Sequence, residues 1–158
     1  MRIKNKLPCL MAFMVFPVLA DAPPGASPVA PSAGDKAVID ARKHIMNTMK
    51  DQSNTLGDMM AGLKPDDDAV ALMDALAQTA SGALKAFEPQ VQGGESKPEV
   101  WTQWADFSKR MNEFMRKTAE MSKIAHDKGK QAGLEDTADA LTCKGCHDVY
   151  RTGVDTDE

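Results

Sequence analysis

The sequence predicts an all-α fold, an antiparallel four-helix bundle. Three observations carry that reading. Four stretches place apolar residues three and four apart, the repeat of a helix that buries one face. No stretch alternates apolar and polar residues as a half-buried strand does. Aromatic residues make up only 5% of the chain while Met reaches 11, a balance that suits helices better than a β-sandwich. A chain of 158 residues has room for one domain around one core.

The N-terminus reads as an export signal over residues 1–20. Arg2, Lys4 and Lys6 form a basic start, an apolar run extends from Leu7 to Ala20, and small residues follow. Cleavage after Ala20 is favoured over cleavage after Ala22, because Pro23 hinders a peptidase at the latter. The run is short for a bilayer and carries Pro8 and Pro17, so no membrane span is expected in the mature form. Cys9 has no small residue just ahead of it, which argues against a lipoprotein signal. Residues 21–34, rich in Pro, Ala, Gly and Ser, read as a disordered lead-in. Removing the three basic residues leaves 16 Lys and Arg against 23 Asp and Glu, a mature charge near -7. That balance gives no reason to expect nucleic acid as a partner.

The first helix is predicted from an Asp35 N-cap to about Leu63, with Ile39, Ile45, Met46, Met49 and Leu56 inward, ended by Gly62 and Pro65. The second opens at Pro65 with Asp66, Asp67 and Asp68 at its positive end and continues through Met73, Leu76, Ala80, Leu84 and Phe87 to Pro89. Residues 90–97, with Gly93-Gly94, read as a loop. Ser96 and Glu99 have capping-box spacing, so the third helix is expected from Pro98. Trp101, Trp104, Phe107, Met111, Phe114 and Met121 carry it to about His126, an exposed helix end, with Gly129 as C-cap. The fourth runs from about Gln131 to Arg151, with Leu134, Ala138, Leu141, Cys146 and Val149 or Tyr150 inward. The bundle therefore spans 35–151, and residues 152–158 form a polar tail.

Once the signal is removed, Cys143 and Cys146 are the only thiols. Cys143-Lys144-Gly145-Cys146-His147 is a complete C-x-x-C-H motif, the signature of covalent haem c attachment. Residues three and four apart share a helix face, so both sulfurs and the imidazole can address one porphyrin. The thiols add across the two vinyl groups, and His147 supplies the proximal nitrogen. Three other readings compete with haem. A thioredoxin-like pair needs a strand–helix setting. A structural zinc site needs four ligands, and only His44 and His126 could supplement this triplet. A plain disulfide has no use for the adjoining His.

The chain resembles the cytochrome c prime superfamily, the class II c-type cytochromes. The residues that carry the resemblance are C-K-G-C-H-D-V-Y-R from Cys143 to Arg151, Pro98-Glu99-Val100-Trp101, Ala41-Arg42 followed by Met46, and Phe87 before a Gly-rich loop. The resemblance covers about Asp35 to Arg151 and implies a four-helix bundle with one haem c near the C-terminus. In that superfamily the first-helix residue four after an Arg faces the open side of the haem, a place that Met46 occupies here. Met at this position implies the low-spin, Met-ligated branch, with iron held by His147 and Met46. A soft thioether opposite imidazole favours ferrous iron and raises the reduction potential. Met49 is the substitute ligand; His44 points elsewhere on the helix. Arg42 is expected either beside a haem propionate or on the surface. Arg151, one turn after His147, is expected either beside the proximal ligand or at a solvated helix end.

The expected function is a periplasmic one-electron carrier, not an enzyme, docking with redox partner proteins that offer basic patches. The alternative is a five-coordinate cytochrome c prime that binds nitric oxide or carbon monoxide. The resemblance also raises a homodimer packed through the first two helices.

Overall fold

The structure, a computed structural model, describes residues 31–153. The expected export signal with Cys9, residues 21–30 of the lead-in and residues 154–158 of the tail lie outside the described residues.

Helix α1 spans Ala33–Met60, α2 Ala69–Ala83 with a 3-10 turn over Leu84–Phe87, α3 Glu99–Thr102, α4 Trp104–Lys128, α5 Lys130–Ala140 and α6 Cys143–Tyr150. Helix α1 packs on α2, α2 on α4, α4 on α5, and α5 returns to α1. This closes the predicted bundle, with short links between antiparallel neighbours. Its centre is filled by Leu56, Met73, Leu76, Met121 and Leu134, each at most 2% exposed. No described helix is long and apolar enough to cross a membrane.

The helix ends differ from the sequence expectation, each for a local reason. Helix α1 starts at Ala33, so Ala33 and Gly34 belong to the bundle and not to the lead-in. Ser32 is the N-cap: its Oγ accepts from the Asp35 N–H and its own N–H donates to the Asp35 carboxylate. Asp35 is thus the acidic partner in a capping box rather than the cap. The helix ends at Met60 in a Schellman motif, with Gly62 N–H bonded to the Met59 carbonyl and Leu63 N–H to the Asp58 carbonyl. Met60 and Leu63 are left exposed beyond the core.

Helix α2 begins at Ala69, later than Pro65, and Asp66 lies in the link ahead of it. Its carboxylate accepts from Lys130 Nζ at 2.7 Å, tying the α1–α2 link to the start of α5. The expected third helix breaks at Gln103, and Ser96 does not cap it: the N-cap position of α3 is Pro98. Gly129 is the C-cap of α4, as expected.

The largest departure is in the fourth helix. It stops at Ala140, turns through Leu141 with φ -88 and ψ 70, and restarts at Cys143. Thr137 and Ala140 face inward, whereas Ala138 is exposed. Helix α5 also lies unusually close to its neighbours. A Cβ on Gly133 would sit 2.6 Å from Ala125 Cβ and 2.7 Å from Met73 Sδ, so glycine is what lets three helices meet there.

Candidate haem-binding site

Helix α6 restarts at Cys143 after the break and, together with α1, lines a cavity of about 790 Å³. All six residues singled out in the sequence line it: Arg42 and Met46 from α1, Cys143, Cys146 and His147 from α6, and Arg151 just beyond. Met49, the substitute ligand, lines it too, with Phe87 and Phe107 as apolar walls. The volume lies in the range of ~300–1,000 Å³ typical of sites that enclose a small molecule or cofactor.

Helix α6 is pinned to α4 by a network the sequence did not reveal. Arg110 Nη1 donates to the Gly145 carbonyl at 2.9 Å, inside the C-x-x-C turn. Its Nε donates to Asp106 Oδ2 at 2.6 Å, and Tyr150 Oη donates to the same oxygen at 2.6 Å. One carboxylate therefore fixes both ends of α6. The hydrogen bonds from Tyr150 and Arg110 hold the Asp106 carboxyl below the usual range. Burial and that same hydrogen bond push the Tyr150 phenol up to about 12. In the sequence, Asp106 and Arg110 show only as an ordinary i,i+4 pair on a polar face.

The loop expected over residues 90–97 does more than connect helices. Lys97 N–H bonds the Tyr150 carbonyl at 3.0 Å, and Thr152 N–H bonds the Glu95 carbonyl at 2.8 Å. The Glu95 carboxylate takes Arg151 Nε and Nη2, both at 2.7 Å. Thr152 is thus tied down rather than part of a free tail. Gly94, at φ 66, packs where a Cβ would meet Ile39 at 2.9 Å, so the loop lies flat on α1 only with glycine there.

Arg42 resolves between its two expectations. It is 3% exposed, which excludes a surface position. Its guanidinium lies 5.1 Å from the Trp101 ring centre and 5.8 Å from that of Phe87, and Nη2 donates to the Gly93 carbonyl at 3.2 Å. Nη1 is buried without a partner. A desolvated cation with one spare donor facing a cavity suits an anionic ligand group such as a carboxylate. Arg151 lines the cavity while held by Glu95, so it is not merely a solvated helix end.

The donor chemistry fits haem c. Cys143 and Cys146 are free thiols, and desolvation pushes both upward so that they remain protonated near neutrality. Burial, and then the Arg151 cation, hold His147 below its ordinary range, leaving the neutral imidazole that ligates metal. Zinc gains no support: among the described residues no three His, Cys, Asp or Glu side chains are grouped to hold a metal ion. His126 instead bonds Asp74 at 3.0 Å, exposed between α4 and α2. Trp101, expected as a packing residue, donates through Nε1 to the Phe87 carbonyl at 2.9 Å. Phe107 packs tilted against Phe87 and Trp104 and edge-on against Tyr150, with ring centres 5.0–5.7 Å apart.

A four-helix bundle whose C-terminal C-x-x-C-H turn faces such a cleft has the arrangement of a class II c-type cytochrome. Residues 37–151 match the family model described as Cytochrome C', and the chain belongs to that family, which implies haem c binding. A 70-residue stretch is 34% identical to the cytochrome c' of Alcaligenes xylosoxydans xylosoxydans, covering 42% of this chain and 53% of that protein. The chain thus matches about half the length of this curated relative. Among solved structures, ferric cytochrome c prime from Alcaligenes xylosoxidans is similar with a TM-score of 0.68 at 23% identity, covering 75% of this chain and 95% of that one. A nitric oxide complex of a single-site variant of the same cytochrome gives a TM-score of 0.65 at 26% identity, covering 77% and 99%.

Proposed function

We propose that the protein is an exported, periplasmic haem protein that binds nitric oxide or carbon monoxide at a single haem c. Cys143 and Cys146 hold the group through thioethers, His147 is the proximal ligand, and Arg42 receives a propionate. The observation that carries this reading is the convergence of Cys143, Cys146, His147 and a buried guanidinium with a spare donor on one cavity. When bound, the group supplies an iron that changes oxidation state by one electron and takes a diatomic gas when ferrous. Family membership and the nitric oxide complex of a relative support gas binding over pure electron carriage. The chain's own residues hold the porphyrin, exclude water with Phe87 and Phe107, and keep His147 neutral. No residue is assigned a catalytic role.

A second reading, the one-electron carrier, is favoured by one observation: Met46 lines the same cavity on the α1 side, one turn after Arg42. Optical titration of the reduced protein with carbon monoxide separates the two. Gas binding predicts stoichiometric uptake in wild type and little change on Met46→Leu. The carrier predicts a ferric thioether-to-iron band in wild type, negligible uptake, and gain of uptake on Met46→Leu.

A further inference from the structure

The mouth of the cleft is charged against the trend of the molecule. The whole chain carries a formal charge of -4. Along α1, however, the outer edge beside Arg42 and Met46 reads Lys43, Asn47, Lys50 and Asn54. Steps of four, three and four put these residues on one helix face. All four are exposed and all line the cleft, whereas Asp40, Asp51 and Asp58 of the same helix do not. Across the opening the charges are balanced: Arg110 is bonded to Asp106, Lys117 lies 3.9 Å from Glu113, and Arg151 is held by Glu95, which also lines the cleft.

Of the other exposed lysines, Lys36, Lys64, Lys123 and Lys144 pair with Asp40, Asp58, Asp127 and Asp148; Lys85, Lys109 and Lys128 form no ion pair among the described residues but lie away from the cleft. Lys43 and Lys50 have no acidic partner among the described residues. They lie two helical turns apart, about 10 Å, close enough to act together at physiological salt. Exposed unpaired cations contribute little to stability; beside low-dielectric walls they focus a local field.

We infer that the Lys43–Asn47–Lys50–Asn54 edge of α1 is the docking surface for the acidic face of an electron-donating protein. The inference rests on the haem reading, since a gas-binding iron must first be reduced and the cleft mouth is where the group is reached. It departs from the expectation drawn from net charge, which favours a basic partner. Local charge governs encounter when it surrounds the reacting edge.

The test uses haem-loaded protein, verified by its absorbance. The ferrous form is oxidised by hexacyanoferrate(III), one electron passing to each anion. The rate is expected to fall about threefold between roughly 10 mM and 200 mM ionic strength, and in K43E/K50E to lose that fall or rise with salt. A wild-type rate that climbs with salt, as net charge or neutralisation by the haem's own carboxylates dictates, overturns the inference; so does an unchanged slope in the variant. Binding of poly-L-glutamate, followed through the backbone amides of Lys43, Asn47 and Lys50, decides the surface independently of haem. Perturbation centred there supports it, and binding elsewhere or none overturns it. A protein without haem absorbance fails the proposed function, while the peptide measurement still judges the edge.

Discussion

Tyr150 gives the sharpest residue-scale prediction, because it is the one Tyr in the chain and its phenolate absorbance reports it alone. Its folded pKa of about 12 lies above the unfolded value of ~10. The neutral phenol therefore stabilises the fold fully below pH ~10, and that contribution disappears as pH rises from ~10 toward 12. Spectrophotometric titration should find a midpoint near 12, moving down toward ~10 in Asp106→Asn. A wild-type midpoint at ~10 would contradict both the burial of Tyr150 and its bond to Asp106. Arg42 shows the limit of residue patterns: an Arg in an amphipathic helix is normally assigned to the wet face. Its burial depends on Trp101, Phe87 and the Gly93 carbonyl, which are remote in sequence. The thiols and His147 were legible because attachment chemistry fixes their spacing; the Arg110–Asp106–Tyr150 support was not, since its partners meet only when α6 folds onto α4.

At the scale of elements, the long helices were readable and their interruptions were not. Periodicity in α1, α2 and α4 is strong enough to survive without tertiary information. The turn at Leu141 has no Gly or Pro to announce it; on its two sides α5 packs on α1 and α4, and α6 on α3 and α4. The Glu95–Lys97 pairing with residues 150–152 likewise lacks a strand pattern, being held by single backbone bonds and one ion pair. Two glycines test the packing in opposite directions. Gly133→Ala should destabilise by about 1–3 kcal/mol, because its Cβ meets Ala125 and Met73 below 3 Å. Gly57→Ala, inside α1 with nothing within 4 Å, should stabilise by about 0.5–1 kcal/mol. Urea unfolding midpoints check both; a neutral Gly133→Ala would contradict the close approach of α5.

For the whole molecule, acid stability follows from carboxylates that bridge elements. Asp106 is held low by Tyr150 and Arg110, Asp74 by Ser122 and His126, and Asp66 by Lys130. Depressed folded pKa values give stability present above the ordinary carboxylate value of ~4 and lost as pH falls below it. Urea midpoints should therefore decline from pH ~4 downward, and less steeply in Asp106→Asn; an identical slope would remove Asp106 from the account. Of these contacts, the Asp106 network ties α6 to α4, while those of Asp74 and Asp66 join α2 to α4 and the α1–α2 link to α5. The most direct measurement of the central claim is denaturing mass spectrometry of the purified protein, with fragmentation of the peptide containing Cys143 to His147. The account predicts one haem retained after denaturation and located on Cys143 and Cys146, and its loss on Cys143→Ala/Cys146→Ala. Two unmodified thiols in the wild-type peptide would contradict it.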